Sequence, residues 1–351
     1  MNPAQPQPSP ETPDPSSSDL SVTVVITCYT QDRWSTLVQG IEAVRGQTHP
    51  CEVVVVVDHA PDLLKRLHRE GGAGLRILPN VQPRGASGGR NTGAAAATSE
   101  LVVFLDDDQE PGPSWIAELV AAHQQFPEAV GFGGAIEARW PGRPPRWFPP
   151  AFSWVVGATT PGQPAGYVRN VWGGNTLVER ATFLASGGYN TSFGKLGAVS
   201  EPEDTELCLR MTTLAGGARW RFVPSAVVVH HVPEERSTWS YFVRRCWLEG
   251  RGKRAMAALG RAGDLADEAA FARTVLARHL LRDVRAGLGG DAGAWFRAAA
   301  AVVGVLTAAL AFVLPVPERA ERQMSVGGDA AAGPGTAGEG SAVARVPRTG
   351  A

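Results

Sequence analysis

The chain has 351 residues, 44% of them hydrophobic, and its formal net charge is -1. That length suffices for one large domain with an appendage, or for two domains. The near-neutral charge argues against a protein whose main role is to bind nucleic acid.

The cysteines indicate a reducing compartment. They are Cys28, Cys51, Cys208 and Cys246, and they contain no C-x-x-C pair, so buried free thiols are favoured over a disulfide framework or a zinc site. The first residues also lack a basic segment followed by an apolar core, the pattern of a secretory signal. We therefore expect the catalytic part to be cytoplasmic.

Composition divides the chain into four predicted parts. Residues 1–20 are rich in Pro and Ser, and residues 323–351 consist mainly of Gly, Ala and polar residues. Neither segment can bury enough apolar surface to offset the entropy lost on ordering. We predict a disordered leader over 1–20, a catalytic domain over 21–250, a helical extension over 251–322 and a disordered tail over 323–351.

The catalytic part opens with strands that alternate with helices. A buried strand is predicted at Val22–Thr27, a second strand at Val53–Val57 and a short strand at Leu75–Leu78, with apolar residues at helical spacing between them. This alternation predicts right-handed crossovers and a mostly parallel sheet. Asp58 follows the second strand, where it either accepts hydrogen bonds from a base or ribose, or only shapes a turn.

A glycine-rich segment, PRGASGGRNTGAAAAT, follows at residues 83–98. Backbone N–H groups at the start of a helix, with Arg84 and Arg90 nearby, would suit a phosphate or pyrophosphate. The glycines have a second interpretation, because a tight contact between a helix and a sheet also requires them. The sequence leaves both open.

The stretch LVVFLDDDQEP, residues 101–111, carries the densest chemical signal. Leu101–Leu105 is typical of a strand buried on both faces. Asp106, Asp107 and Asp108 follow at once, and three adjacent carboxylates repel one another unless a cation lies among them. Hard oxygen ligands suit Mg²⁺ or Mn²⁺. The alternative is a solvated acidic loop that caps a helix beginning at Pro113.

Four blocks of this sequence together resemble the family 2 glycosyltransferases over about residues 20–250. They are VTVVITCYTQDR, VVVVVDHA, GASGGRNTGAAAATSELVVFLDDDQEPGPSWI, and WGGNTLVERATFLASGGYNTSFGK with EPEDTELCLR. The resemblance implies an α/β fold of the GT-A type, with a mixed, mainly parallel sheet flanked by helices. It also implies an inverting hexosyltransferase that moves a sugar from a nucleotide-diphosphate donor to an acceptor hydroxyl.

The resemblance also implies a role for individual residues. Asp204 matches the catalytic base, and Asp108 is the expected direct metal ligand, with Asp106 and His230 beside it. His231 competes with His230 for that position, and the sequence does not separate them. The remaining assignments are a donor-binding group, Asp58, Arg90, Asn91, Asp106 and Asp107, and an acceptor-side group, Trp172, Asn175 and Glu203.

The block around Asp204 can also be interpreted from its own chemistry. Leu207, Met211 and Leu214 lie at helical spacing, so Glu203 and Asp204 fall in a first turn, where simple capping is the alternative role. A sugar hydroxyl is a poor nucleophile, so transfer requires a carboxylate that removes its proton. It also requires positive charge near the leaving diphosphate, which Arg90 and a metal would supply.

The segment Arg139–Val168 contains Trp140, Trp147, Phe148 and Trp154 among several prolines. Aromatic faces in such a loop either stack on sugar rings or anchor the loop to the core. We favour a loop that borders the acceptor site.

The extension is basic and then apolar. From Arg244 to Arg297 there are 11 Lys or Arg against 6 Asp or Glu, and Ala298–Val316 then lacks any charge. That run suits a membrane span or an interfacial helix. We hypothesise contact with the inner leaflet through residues 273–316, at the cytoplasmic face of the membrane.

Three other protein classes fit this sequence less well. A sugar nucleotidyltransferase would use a similar acidic metal site, and a degenerate transferase would only bind a nucleotide sugar or glycan. A dinucleotide oxidoreductase is the third, but its fingerprint does not follow Val22–Thr27. The favoured transferase would have a glycan, lipid-linked or small-molecule acceptor.

Overall fold

The computed structural model describes residues 20–192, 195–196, 199–200, 203–258 and 276–314. The predicted tail and, apart from Leu20, the predicted leader lie outside these residues, as does part of the extension. The predicted domain boundaries therefore stay predictions.

The strands observed agree with the predicted ones and add several to them. They are β1 Val22–Cys28, β2 Glu52–Val57, β3 Leu75–Pro79, β4 Leu101–Asp106, β5 Gln109–Pro111, β6 Gly131–Arg139, β7 Gly166–Val168, β8 Asn175–Glu179, β9 Lys195–Leu196, β10 Val199–Ser200 and β11 Trp220–His231.

The helices lie between and after these strands. They are α1 Trp34–Arg45, α2 Pro61–Glu70, α3 Ala86–Ala96, α4 Trp115–Gln125, α5 Arg180–Ala185, α6 Glu203–Leu214, α7 Trp239–Ala258, α8 Ala277–Leu288 and α9 Ala292–Val313, with short 3-10 helices at Gln31–Arg33, Pro150–Val156 and Glu234–Ser237.

Among the residues described, nine strands form one mixed sheet in the order β3-β2-β1-β4-β8-β6-β11-β5, with β7 also on β11. Strands β1 to β4 are mutually parallel, β8 runs against β4 and β6, and β11 is parallel to β6. Six of the nine strands, β1 to β4, β6 and β11, therefore run in one direction. This confirms the predicted α/β architecture with a mixed, mainly parallel sheet.

The predicted buried strands form the centre of the core. Every residue of β1 is buried, and so are Leu101–Leu105 of β4. Such strands are covered on both faces, which explains their uninterrupted apolar sequence. The carboxyl end of β4 leads directly into the acidic cluster.

Three of the four glycines of the segment 83–98, Gly88, Gly89 and Gly93, lie inside α3, where they allow close packing. A Cβ atom on Gly93 would lie 2.3 Å from Cγ1 of Val25, and one on Gly89 would lie 2.9 Å from Cγ2 of Thr27. Gly85, immediately before the helix, adopts a φ of 129°. Helix α3 thus packs against β1 more closely than any side chain would permit.

Candidate active site

The acidic cluster lies where β4 turns into β5. Asp106 ends β4, Asp107 and Asp108 form the turn, and Gln109 begins β5, which pairs antiparallel with β11 so that His230 lies opposite Gln109. The backbone N–H of His231 also donates to the carbonyl of Asp108. The end of β11 is therefore held against the acidic turn by main-chain bonds.

The structure separates the two histidines that the sequence left open. Nε2 of His230 lies 3.4 Å from Oδ2 of Asp108, and both side chains are buried. His231 is directed elsewhere, with Nε2 3.5 Å from Oε2 of Glu110 and 3.4 Å from Nη1 of Arg139. Consecutive strand residues point to opposite faces, so one of the pair faces Asp108 and the other does not.

Asp108 lies in a strongly positive setting. Burial alone would disfavour its charge, but the His230 hydrogen bond and the charges of His230, Arg33 and Arg236 lower the pKa of this carboxyl below its usual range. Asp108 is therefore an anion at neutral pH, as a metal ligand must be.

Arg33 is a site residue that sequence reasoning missed. Its Nη1 atom lies 2.6 Å from Oδ1 of Asp107 and 3.0 Å from Oδ2 of Asp108. Burial, with the neighbouring Asp108 and Asp106 charges, raises the pKa of Asp107 to about 7, although Arg33 opposes that shift. A cation shared between two acidic residues lowers their repulsion. The available signal was a basic residue soon after the first strand.

Arg90 connects the acidic cluster to Asp204. This side chain is buried, and its Nη2 donates to Oδ1 of Asp106 at 2.8 Å while Nη1 lies 3.5 Å from Oδ1 of Asp204. The guanidinium also lies 5.0 Å from the centre of the Tyr189 ring. Burial works against its charge, but Asp106 and Asp204 outweigh it and raise the pKa of Arg90.

Two adjacent glycines make room for this arrangement. A Cβ atom on Gly173 would lie 2.3 Å from Oδ1 of Asp204, and one on Gly174 would lie 2.4 Å from Oδ2 of Asp106. Both distances are shorter than any real contact. Glycine at these two positions therefore allows the backbone before β8 to lie directly against the two carboxylates. The WGGN sequence contributes to the family resemblance, but no local pattern in it predicts this packing role.

Helix α6 presents Glu203 and Asp204 in its first turn, as predicted. In the same turn, Glu206 is buried and paired with Arg210, whose Nη2 also donates to the Gly188 carbonyl at 2.6 Å. This paired anchor fixes the helix to the turn after α5. Asp204 itself stays a quarter exposed beside Arg90.

Asp58 follows the last residue of β2. Its two carboxylate oxygens accept from Nδ2 of Asn80 at 2.6 Å and from the backbone N–H of Gly85 at 2.9 Å. Asp58 thereby positions the start of α3, which is the helix that carries Arg90.

Two predicted ligand-binding asparagines have structural partners instead. The Asn175 side chain is fully buried: Nδ2 donates to the carbonyls of Ala135 and Ala226, and Oδ1 accepts from the Trp115 indole. This contradicts the predicted acceptor contact through Asn175, because its amide is fully buried and both of its polar atoms are bonded to protein groups. Asn91 exchanges two hydrogen bonds with the Tyr189 backbone, so it supports the site from behind.

The aromatic loop is anchored to the core. Trp147 packs edge-on against Trp239 and Phe242, and Phe148 packs against Trp140 and Phe242. These faces are used in packing, which favours the anchoring interpretation. Trp172 is half-buried against the main core, and Gly157, which follows the 3-10 helix within the loop, lies beside His230.

Two side chains of the site have donor atoms that could hold a divalent cation. Mg²⁺ and related ions are often held by one or two protein ligands, with substrate phosphates and water completing the shell. Asp108 and His230 form such a pair, and Nδ1 of His230 and Oδ2 of Asp107 are buried without a hydrogen-bond partner. Within the described ranges no three His, Cys, Asp or Glu side chains form a metal-holding group. The predicted trio with Asp106 is therefore not preformed, because Asp106 is turned to Arg90.

Comparisons with known proteins identify a family model and a relative that match this chain. The family model described as Glycosyl transferase family 2 matches residues 23–182. Glucosyl-dolichyl phosphate glucuronosyltransferase of Haloferax volcanii is 32% identical over 243 residues, which is 68% of this chain and 77% of that protein.

Two solved structures were also compared. A crystal structure of GalNAc-T7 with UDP, GalNAc and Mn²⁺ is 18% identical, with a TM-score of 0.49, and the match covers 69% of this chain and 52% of that one. Mannosyltransferase PcManGT from Pyrobaculum calidifontis, in complex with GDP-Man and Mn²⁺, is 19% identical with a TM-score of 0.46, covering 92% and 83%.

Proposed function

This chain belongs to glycosyl transferase family 2, and from that membership we propose that it is an inverting hexosyltransferase. It would transfer a sugar from a nucleotide-diphosphate sugar to an acceptor hydroxyl, with Asp204 as the base. The observation that carries this proposal is a pair of adjacent ionic clusters: Arg33 contacts Asp107 and Asp108, and Arg90 contacts Asp106 and Asp204.

The basic side chains account for donor binding. A diphosphate carries negative charge that grows on the leaving oxygen during transfer, and buried guanidinium groups stabilise such charge more strongly than exposed ones. Arg33 and Arg90 lie on either side of the acidic turn, and both already contact carboxylates. A phosphate oxygen would take the place of a carboxylate oxygen as their partner.

Asp108 and His230 would hold the divalent cation, Mn²⁺ or Mg²⁺, with Asp107 near by. The bound ion would supply further positive charge beside the diphosphate. Asp58 and the start of α3 would border the nucleotide, since Asp58 orients Gly85 and the helix that follows.

Asp204 would remove the proton from the acceptor. It lies in the first turn of α6, a quarter exposed, with Arg90 on one side. A single carboxylate that deprotonates the attacking hydroxyl is what a direct, inverting displacement requires. Trp172 and Glu203 would border the acceptor.

We further propose a glycan, lipid-linked or small-molecule acceptor, with the enzyme at the cytoplasmic face of a membrane. A lipid-linked acceptor is supported by the Haloferax relative, whose name gives glucosyl-dolichyl phosphate as its substrate.

The test is a panel of nucleotide sugars with the purified chain, with and without Mn²⁺, monitored by thermal unfolding and by release of nucleoside diphosphate. We expect one donor to stabilise the protein in a Mn²⁺-dependent way and to be hydrolysed slowly without acceptor. Release of pyrophosphate from a nucleoside triphosphate would instead identify a nucleotidyltransferase. Binding without any turnover, under conditions where an acceptor extract is supplied, would identify a scaffold.

A further inference from the structure

Helix α9 has two different faces. The face that consists of small residues packs on the catalytic domain. Among the residues described, it is the one helix long and apolar enough to cross a membrane. The buried positions of this helix are small: Ala294, Ala298, Ala300, Ala301, Gly304 and Ala311. A Cβ atom on Gly304 would lie 2.6 Å from the Phe152 ring.

The packing continues along α9 towards its end. A Cβ atom on Gly250 of α7 would lie 2.1 Å from the carbonyl oxygen of Ala308, and Nη1 of Arg254 donates to the Phe312 carbonyl at 3.1 Å. Near the start of α9, a Cβ atom on Gly293 would lie 3.7 Å from the Arg146 carbonyl oxygen. Because these contacts are spread from one end to the other, the helix lies along the domain and does not project from it.

The opposite face of α9 carries large apolar side chains that are exposed. Phe296 and Leu306 are each 63% exposed and Leu310 is 54% exposed. Up to residue 312 the described chain has fifteen exposed large hydrophobic side chains, and nine of them lie on α8 and α9: Leu281, Leu288, Trp295, Phe296, Val302, Val303, Val305, Leu306 and Leu310. That concentration marks an interaction surface, since isolated exposed side chains are ordinary.

Helix α8 borders this face with positive charge. Arg278, Arg282 and Arg285 are exposed and share one side of the helix, next to the exposed Leu281 and Leu288. The acidic residue on this helix, Asp283, is buried and paired with Arg297 at 3.0 Å. The rim of the apolar face is therefore strongly basic.

The two helices form one unit. Besides the Asp283–Arg297 pair, a Cβ atom on Gly287 of α8 would lie 2.6 Å from the Trp295 indole of α9. The indole is half exposed at that junction, the position in which Trp residues occupy a membrane–water boundary.

We propose that the exposed faces of α8 and α9, which we call the docking face, lie in the plane of an anionic membrane surface. The apolar side chains would enter the headgroup–acyl boundary, and the arginines would contact acidic headgroups. A two-fold dimer through the same face would bring the arginine rows of two copies near one another, so charge favours lipid over a second copy. A span would require α9 to leave its close contacts with Phe152 and Gly250.

The docking face is connected to the active site by short steps. Phe152, beneath α9, belongs to the 3-10 helix Pro150–Val156, and a Cβ atom on Gly157, which caps that helix, would lie 3.3 Å from Cε1 of His230. The segment from Phe152 to Gly157 would therefore set the position of the site relative to the membrane surface. A membrane-bound acceptor would reach the site at that position. The docking itself does not depend on the proposed reaction.

The experiment is flotation of the full chain with lipid vesicles. Phosphatidylcholine vesicles are compared with vesicles containing about one-third phosphatidylglycerol, at about 0.05 M and about 0.5 M NaCl, because salt screens headgroup attraction. We expect binding to the anionic vesicles, weakened by salt and released by alkaline carbonate. Resistance to carbonate would establish a span and overturn the proposal.

Two variants and a control complete the test. Leu306→Glu with Leu310→Glu should abolish flotation, and Arg278→Ala with Arg282→Ala and Arg285→Ala should weaken it about tenfold or more. Leu214→Glu, equally exposed but at the end of α6, should float like the parent chain. The arginine variant removes only exposed side chains, so its folding is not at risk.

Two further outcomes would overturn the proposal. One is equal flotation of all variants. The other is a lipid-independent dimer, measured by light scattering, that Leu306→Glu converts to a monomer while flotation is absent throughout.

Discussion

Nη1 of Arg90 on helix α3 lies 3.5 Å from Oδ1 of Asp204 in the first turn of helix α6. Two helices that are far apart in the sequence therefore meet at this contact. The same guanidinium holds Asp106 at 2.8 Å. Asp106 and Asp204 are therefore separated by one buried side chain.

The first prediction concerns Asp204. Asp204→Asn keeps the size of the side chain and removes its basicity, so transfer should fall by about 10²–10⁴-fold while donor binding is retained. Donor affinity is measured by titration and transfer by product release. Asp62→Asn, on the exposed surface of α2, is the control and should turn over normally. Normal turnover of Asp204→Asn would remove it from the role of base.

The second prediction concerns Arg90. Arg90→Lys preserves the charge but not the planar fork that reaches both Asp106 and Asp204. Because hydrogen bonds to charged groups contribute about 1.5–3 kcal/mol, we expect kcat/KM to fall by about one to two orders of magnitude. Arg139→Lys is the matched control, since Arg139 forms an exposed pair with Glu110. Equal effects of the two substitutions would contradict the bridging role.

The third prediction separates two neighbouring carboxylates. Asp108→Asn should lose the Mn²⁺-dependent part of donor binding, because Asp108 faces His230 in the buried site. Glu110→Gln should retain it, because Glu110 faces Arg139 and His231. The measurement is the shift in unfolding temperature with nucleotide sugar, with and without Mn²⁺. Loss in the Glu110 variant alone would reverse the assignment of the histidines.

The fourth prediction concerns packing of α3 on β1. Gly93→Ala introduces a Cβ atom 2.3 Å from the Val25 side chain, and overpacking of a core typically costs about 1–3 kcal/mol. The free energy of unfolding is measured by denaturant titration. Gly142→Ala, which meets nothing within 4 Å, should leave stability close to that of the parent. A neutral Gly93→Ala would mean that α3 shifts freely on the sheet.

The sequence was most informative where local pattern decides structure. The apolar runs Val22–Thr27, Val53–Val57 and Leu101–Leu105 have no polar alternation, and all three became buried strands of one sheet. The acidic residues that end β2 and β4 consequently lie at one edge, as the crossover rule requires.

It was least informative where distant segments meet. The choice between His230 and His231 depends on the pairing of β5 with β11, which no local pattern reports. Arg33 could not be assigned, because its contact with Asp107 depends on the turn of the 3-10 helix after β1. Asn175 was misassigned because its three hydrogen-bond partners lie on other strands and helices.

Burial of Arg90 has a consequence for how this molecule can be divided. A fragment that stops before α6 would enclose a permanently charged group with only Asp106 to balance it, and removing one partner of a buried ion pair typically costs about 3–5 kcal/mol. Chimeras that exchange the segment containing α6 with that of a relative must therefore import a carboxylate at the position of Asp204, even when the transplanted segment is never meant to catalyse anything.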